Sequence, residues 1–353
     1  MSVDFGYRVA VVRAARGSAR LPLRLVATSV ALFAAAVLMA TWAIRYGDYP
    51  LTAAEVFGTL AGRGDDFTAM IVLEWRLPVA ISAVLFGAML GVGGAIFQSL
   101  TRNPLGSPDL IGFDAGSYTA VVLLILLLGN ANYWAVAGAS LLGGMATALV
   151  VYLLARRRGV QGFRLIIVGI AMSALLGSVD DYLISRAELR DAMMVGFWGA
   201  GSIARVTWAS LAPAGAFALV IAVGCILLAP ALRSMELGDD AAVTQGTTVG
   251  PARILLIVVG VATTAIVTAA AGPIAFIALA APQMAKRLAR TPGVSLLASA
   301  AMGAAVLAAA HLLSLLIGQV SYTVPVGLIT VCVGGCYLIW LLIHETRRRG
   351  GAS

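Results

Sequence analysis

Uninterrupted apolar runs of about 20 residues, the length of a transmembrane helix, are the feature that most restricts the fold of this sequence. From Leu25 to Ile44 the chain carries no charged side chain. A helix of that length spans the hydrocarbon core of a bilayer, which is roughly 30 Å thick. Similar runs recur along the chain, so that 61% of its 353 residues are hydrophobic and only 11% are charged. This pattern predicts an integral membrane protein and excludes a soluble or a disordered chain.

Charged and turn-forming residues divide the chain into ten apolar segments, which we predict to be transmembrane helices. The first is too long for the core of a signal peptide and has no clear cleavage site after it. Gly272 and Pro273 predict a tight turn near the surface between the seventh and eighth segments. The predicted segments are 24–45, 77–100, 109–129, 134–155, 164–185, 206–229, 252–271, 274–289, 294–317 and 325–344.

The basic residues give these helices a direction. With both termini in the cytoplasm, 18 of the 24 Lys and Arg residues fall in cytoplasmic segments and 6 fall outside, as the positive-inside rule requires. The net charge of +8 is thereby explained without a nucleic-acid partner. The prediction is an all-α membrane protein with a cytoplasmic arm over 1–23, one ten-helix domain over 24–345 and a cytoplasmic tail over 346–353. A cytoplasmic segment at 236–250 interrupts the helical domain.

The usual signatures of catalysis and of metal binding are absent from the sequence. A P-loop needs Gly-Lys-[Ser/Thr], but the single lysine, Lys286, follows Ala285. His311 and His344 stand alone, and one histidine cannot make a zinc site. We expect His311 to be packed and hydrogen-bonded. With no metalloprotease helix and no nucleophile elbow, we expect no enzymatic activity, no bound metal and no directly bound cofactor, so transport leads by elimination.

Two segments flank the second predicted helix. At its outer start, Glu74 and Arg76 are placed to pair, and Pro78 suits the first turn of a helix. At its inner end, Asn103 and Pro104 predict a stop, followed by a rigid turn into the next helix. From the residues alone that turn is either a gate or a plain connection.

An acidic segment from Glu236 to Gly246 lies in the longest predicted cytoplasmic connection. Asp239 and Asp240 can cap and charge the start of a short helix, which Gly246 can end. Such a helix could dock into another protein. A solvated helix without a partner fits the residues equally well.

Asp180 and Asp181 lie near the outer end of the fifth predicted helix, and carboxylates at membrane depth are usually functional or paired. We expect pairing with Arg186, or an interface position outside the bilayer core, in preference to contact with an anionic substrate. A rival interpretation has Asp180 or Asp181 relaying protons in an ion-coupled secondary transporter.

Taken together, these segments resemble the FecCD/BtuC-like permeases of type II ABC importers. The resemblance covers nearly the whole chain, and its motifs follow the order of the family. These motifs are Arg-Leu-Pro at 76–78, Gly-Ala-Ile-Phe-Gln at 94–98, Arg-Asn-Pro-Leu at 102–105, Gly-Asp-Asp-Ala at 238–241, Ala-Gly-Pro-Ile at 271–274 and Pro-Val-Gly at 325–327.

The resemblance implies a permease of the cytoplasmic (inner) membrane, embedded in lipid and paired with a homologous second permease as a heterodimer. It also implies two copies of a cytoplasmic ABC ATPase, which uses ATP and Mg²⁺, and an extracytoplasmic siderophore-binding protein. The expected cargo is a ferric siderophore, of the enterobactin-like catecholate type. Haem or cobalamin carried by the same machine is the alternative.

The resemblance also assigns roles to individual residues. The inner gate of the family maps onto Asn103 and Leu105. Arg63, Arg186 and Arg190 are candidates for contact with the binding protein by their location. The family usually has His where this chain has Gln283. The residues implied to couple the chain to the ATPase are Glu236, Gly238, Asp239, Asp240, Ala241, Gln245 and Gly246.

Overall fold

The structure of the chain is a computed structural model. The residues that it describes are 9–14, 17–109, 112–129, 132–155 and 162–350. The start of the predicted cytoplasmic arm, the end of the predicted tail and the basic cluster Arg156–Arg158 therefore lie outside the described residues.

The described residues form one β-hairpin followed by fourteen α-helices, with a π-helical segment before α4 and a 3₁₀ turn before α9. The strands are β1 (Val9–Ala14) and β2 (Gly17–Pro22). The helices are α1 (Leu23–Ala43), α2 (Ala53–Leu60), α3 (Asp66–Ala69), the π-helix (Met70–Arg76), α4 (Leu77–Thr101), α5 (Phe113–Leu128), α6 (Tyr133–Ala155), α7 (Gly162–Arg186), α8 (Leu189–Gly199), the 3₁₀ turn (Ile203–Arg205), α9 (Trp208–Glu236), α10 (Asp239–Thr244), α11 (Val249–Ala271), α12 (Ile277–Ala289), α13 (Leu296–Gly318) and α14 (Val326–Gly350).

A helix overlies each of the ten apolar segments predicted from the sequence. Seven helices among the described residues are long and apolar enough to cross a membrane. Helix α5 has 16 residues and α12 has 13, so at 1.5 Å per residue both fall short of a bilayer core of roughly 30 Å. The helical, multi-pass membrane fold is confirmed, and the number of crossings stays a prediction.

The hairpin before α1 departs from the all-α prediction. Strands β1 and β2 pair antiparallel, with Val9 opposite Pro22 and Ala14 opposite Gly17. Three of the six residues of β1 are valines, and β-branched side chains favour strands over helices. The hairpin lies in the predicted arm, so the helical domain itself is unaffected.

Helix α4 is the centre of the molecule. In an apolar 18-residue stretch within residues 66–101, 72% of the stretch is buried inside the protein. The corresponding value for an 18-residue stretch of α1 is 17%. Glycines let its backbone approach its neighbours, because a Cβ on Gly91 would overlap the carbonyl oxygen of Ser299 in α13, and one on Gly94 would overlap that of Ala278 in α12. Small residues thus set the close packing of α4 against α12 and α13.

The π-helix runs into α4 without a break, and Pro78 lies in the first turn of α4, as predicted. In a π-helix each carbonyl accepts from the N–H five residues later, and Pro78 has no N–H to offer Leu73. The indole Nε1–H of Trp208 donates to the Leu73 carbonyl instead, at 2.8 Å. Arg76 does not pair with Glu74 as expected. Its guanidinium donates to two backbone carbonyls in the segment after α1, those of Ile44 and Tyr49.

The connection between α11 and α12 is an extended segment over residues 272–276, and the prediction of a tight surface turn was wrong. Pro273 cannot donate an N–H and Phe276 has a φ of 70°, so neither residue continues a helix. The Thr330 hydroxyl donates to the Ala275 carbonyl at 3.0 Å, which satisfies a backbone group inside the protein. Helix α12 then begins beside Gly94, in the last third of α4.

Candidate coupling and gate site

The acidic segment after α9 contains a short helix, α10, as its residues predict. Gly238 precedes it with a φ of 117°, a conformation that favours glycine. Asp239 and Asp240 occupy the first turn, where the carboxylates face the positive end of the helix dipole. The helix ends at Thr244. Gly246, two residues later, has a φ of 81°, which turns the chain away from the helix.

Helix α10 is fastened to the protein along one side. Ala242 is fully buried and belongs to a hydrophobic cluster with Met235 of α9 and Leu256 of α11. The Ser234 hydroxyl donates to the Gln245 side chain at 2.9 Å. A six-residue helix is too short to be stable alone, so these contacts hold it in place.

The opposite side of this segment presents an exposed surface, here called the α10 face, made of Leu237, Asp240 and Val243. Leu237 is 71% exposed and Val243 is 62% exposed. Two apolar side chains beside a carboxylate have the mixed character of a protein-binding surface. Among the other predicted coupling residues, Gln245 and Gly246 are exposed and Ala241 is half-buried.

Asp239 points away from the α10 face, towards two arginines of the same chain. The Arg253 guanidinium nitrogen Nη2 lies 2.7 Å from Oδ1 and 2.8 Å from Oδ2 of Asp239. Arg102, at the end of α4, lies 3.9 Å from Asp239 Oδ1. The Arg253 side chain is 13% exposed, against 53% for Arg102 and 44% for Asp239. The pair with Arg253 is thus the sheltered and stronger one.

Glu236 makes a second link between α9 and the end of α4. The Ser99 hydroxyl donates to Glu236 Oε1 at 2.5 Å, and Ser99 is buried. Glu236 Oε2 also lies close to Gly293, 3.1 Å from the position that an added Cβ would take. The carboxylate of Glu236 therefore joins α9, α4 and the loop before α13.

The turn after α4 contains both predicted gate residues. Arg102 ends the helix with a φ of 50°. The Asn103 side-chain oxygen accepts from the Leu105 N–H at 2.9 Å, an Asx turn that fixes the backbone. The Leu105 side chain is exposed. Asn103 shapes the turn, and Leu105 is the apolar group that the turn presents.

Gln283 belongs to a hydrogen-bond chain between α12 and α4. Its Nε2 donates to Gln98 Oε1 at 2.6 Å, and Gln98 Nε2 donates to the Leu279 carbonyl at 2.9 Å. Gln98 is buried, so an unpaired amide there would be costly.

We expect Gln283→Leu to lower the free energy of unfolding by about 0.6–1.7 kcal/mol, the range for an interhelical hydrogen bond in a membrane. The reason is that Gln98 Oε1 loses its donor. Gln283→His, which retains an N–H, is the matched control and should cost less. Thermal unfolding of the purified protein in detergent measures both, and equal midpoints for Gln283→Leu and the unsubstituted chain would contradict the expectation.

The three arginines predicted to meet a binding protein are all exposed. Arg63 lies between α2 and α3, whereas Arg186 ends α7 and Arg190 lies in the first turn of α8. The Arg186 guanidinium carbon lies 5.5 Å from the centre of the Tyr182 ring, a cation–π distance. The contact role of the three residues stays a prediction.

Asp180 does not pair with Arg186 as expected. It is buried, and its Oδ2 accepts from the Thr119 hydroxyl at 2.9 Å, because α5 lies on the side of α7 that carries Asp180. Asp181 is exposed.

His311 is buried, as expected, but it forms no hydrogen bond with any of the described residues. It lines a cavity of about 280 Å³ together with Asp48, Tyr49, Trp75 and Arg76. The cavity lies beside the segment after α1, where Arg76 is already bound to the backbone.

Sequence reasoning assigned no role to Arg102, Arg253 or Ser99, which contact the carboxylates of Asp239 and Glu236 in the acidic segment. Arg253 follows Asp239 by 14 positions, and Ser99 precedes Glu236 by 137. One signal was available, since an arginine in the first turns of the helix after an acidic connector is well placed to reach back to it.

The chain is similar to known transport proteins over most of its length. The model of the FecCD transport family matches residues 32–344. The chain is 42% identical over 326 residues to the ferric enterobactin transport system permease protein FepG of Escherichia coli strain K12, a match covering 92% of this chain and 98% of FepG.

More distant relatives carry related names. The chain is 32% identical over 320 residues to the achromobactin transport system permease protein CbrC of Dickeya dadantii, covering 89% of this chain and 90% of that protein. It is 31% identical over 288 residues to the hemin transport system permease protein HmuU of Yersinia pestis, covering 80% and 85%.

A solved metal-chelate type ABC transporter in an inward-facing conformation has the same fold. It superposes with a TM-score of 0.76 at 23% sequence identity, covering 90% of this chain and 98% of the solved one.

Proposed function

Because the chain belongs to the FecCD transport family and is a multi-pass membrane protein, we propose that it is the permease subunit of an ATP-driven importer that carries a ferric siderophore across the cytoplasmic membrane. The observation that supports this most is the 42% identity to a ferric enterobactin permease over almost the full length of both chains. The hemin permease is less similar, at 31%. A catecholate of the enterobactin type is therefore the proposed cargo.

The proposed topology has ten crossings, with both termini in the cytoplasm. Its support is the distribution of 18 basic residues inside and 6 outside. The domain boundaries proposed are 1–23 for the arm, 24–345 for the helical domain and 346–353 for the tail. In this orientation α10 faces the cytoplasm, and Arg63, Arg186 and Arg190 face outwards, where a binding protein approaches.

The proposed assembly has two permeases, this chain and a homologous second one, two copies of a cytoplasmic ATPase and one external binding protein. The ATPase supplies the nucleotide site and uses ATP with Mg²⁺. The α10 face is the proposed docking site for the ATPase, since it exposes Leu237 and Val243 on a segment anchored to α4, α9 and α11. Asn103 and Leu105 form the proposed inner gate.

Reconstitution tests this function directly. The permease pair and a partner ATPase are placed in proteoliposomes with the binding protein on the opposite side. We expect ferric enterobactin to be transported only with Mg-ATP on the ATPase side. A pH gradient without ATP should drive no uptake, because ATP hydrolysis is the only energy source in the proposed mechanism.

Two results would contradict the proposal at different levels. Uptake driven by a pH gradient in the absence of the ATPase would show an ion-coupled transporter, with Asp180 or Asp181 as the candidate proton carrier. ATP-dependent uptake of hemin or cobalamin, but not of ferric enterobactin, would support the ATP-driven importer and contradict the proposed cargo.

A further inference from the structure

The three charged groups Arg102, Asp239 and Arg253 connect helix α10 to the turn that follows α4. Asp239 is the first residue of α10, Arg253 lies near the start of α11, and Arg102 is the last residue before the turn. We propose that Arg102, acting through Asp239, is a positioning residue that transmits movement of α10 to the gate turn at Asn103 and Leu105. This inference rests on the proposed function, in which an ATPase binds α10.

The two arginines hold Asp239 unequally. Arg253 lies within hydrogen-bonding distance of both carboxylate oxygens and is largely buried, whereas Arg102 lies 3.9 Å from one oxygen and is more than half exposed. Exposed ion pairs contribute little to stability. Arg253 therefore makes the stronger contact and moves together with Asp239, while the contact with Arg102 is weak enough to break and re-form as helices move.

Arg102 is well placed to act on the gate turn. Its backbone N–H donates to the Ser99 carbonyl at 3.3 Å, in the last turn of α4. Its guanidinium passes over Gly238, where an added Cβ would lie 3.5 Å from the nearer nitrogen. The next residue, Asn103, fixes the backbone of Leu105. A displacement of Asp239 thus changes the position of a residue directly adjacent to the gate turn.

The remaining contacts of α10 fit the same interpretation. Its one fully buried side chain, Ala242, is small, so little apolar surface resists a shift of the helix. The Ser99–Glu236 hydrogen bond ties the end of α9 to the end of α4. This hydrogen bond keeps the end of α9 in place beside α4. The contact between Asp239 and Arg102 can therefore change while the rest of the connection stays fixed.

Three variants in the reconstituted importer test the link. Arg102→Gln removes the charge, Arg102→Lys keeps it, and Arg233→Gln removes a matched charge from the exposed end of α9. Arg233 forms no ion pair with any described residue. For each variant, uptake of ferric enterobactin per ATP hydrolysed is measured, together with co-purification of the ATPase.

We expect Arg102→Gln to reduce uptake per ATP about fivefold or more, the lower end of coupling between sites, while the ATPase still co-purifies. Arg102→Lys should retain at least about half of the coupling, since a charge at this position suffices for a contact of this length. Arg233→Gln should behave as the unsubstituted chain. The double variant Arg102→Gln with Asp239→Asn should be no worse than Asp239→Asn alone, because Arg102 acts through Asp239.

Several results would overturn the link. They are equal coupling in Arg102→Gln and Arg233→Gln, equal loss in Arg102→Gln and Arg102→Lys, additive losses in the double variant, and failure of the ATPase to co-purify with Arg102→Gln. The last would place Arg102 in the docking surface. Failure of the proposed function is distinguishable, because there the unsubstituted importer itself shows no ATP-dependent uptake.

Discussion

Gly94→Ala is expected to destroy the folded protein, although it adds a single methyl group. The Cβ at this position would overlap the backbone oxygen of Ala278, and a backbone atom cannot move aside as a side-chain end can. Helix α4 would have to separate from α12 along its last third. Overpacking that forces such shifts costs about 1–3 kcal/mol and more where backbone must move, a large part of the stability of a typical domain.

The measurement is the yield of monodisperse protein after detergent extraction, followed by thermal unfolding of whatever is recovered. Gly215→Ala in α9 is the matched control, because apart from its own stretch of helix no atom of the described residues lies within 4 Å of its added Cβ. There the change should be neutral or stabilising by up to about 1 kcal/mol, the advantage of alanine in a helix. Equal yields and midpoints for the two variants would show that α4 and α12 are not packed this closely.

The second large effect is expected at the α10 face. The double variant Leu237→Glu with Val243→Glu should weaken binding of the ATPase by about 100-fold or more, as loss of central apolar contacts does at protein interfaces. Both side chains are exposed in the single chain, so the permease itself should fold with its usual yield. Co-purification of the ATPase and titration of its binding measure the effect.

Val320→Glu is the matched control for charge on an exposed apolar side chain. Val320 lies between α13 and α14, at the opposite end of α13 from the cytoplasmic loops in the proposed topology, and is also exposed. It should leave ATPase binding unchanged. Undiminished binding in the double variant would place the ATPase elsewhere on the chain.

The sequence was sufficient to predict the long helices, because an apolar run must reach about 20 residues to cross the bilayer core as a helix. It also predicted α10, since glycine, two aspartates and a second glycine mark a short helix through local interactions alone. The turn at Asn103 follows from the same local chemistry. Each of these features is decided within a few residues of the chain.

The sequence was not sufficient where the decisive contact is distant. Pairing with Arg186, six residues away, was one of two alternatives for Asp180, and the carboxylate instead accepts from Thr119 on another helix. The segment at 272–276 was expected to be a surface turn, and Thr330 allows it to lie inside the protein. The partners of Asp239 depend likewise on how α4 and α11 pack against α9, which no local pattern encodes.

The short helix α12 has a consequence for how this protein is made. Its 13 residues include two basic ones in the last turn, and the extended segment before it depends on α14 for a hydrogen bond. Such a stretch cannot enter the lipid as an independent helix during synthesis, because its length and its unpaired backbone forbid it. We therefore expect α12 to reach its final position only after α14 has been synthesised. The packing of α12 against α4 is then expected to form late, when most of the surrounding helices are already in the membrane.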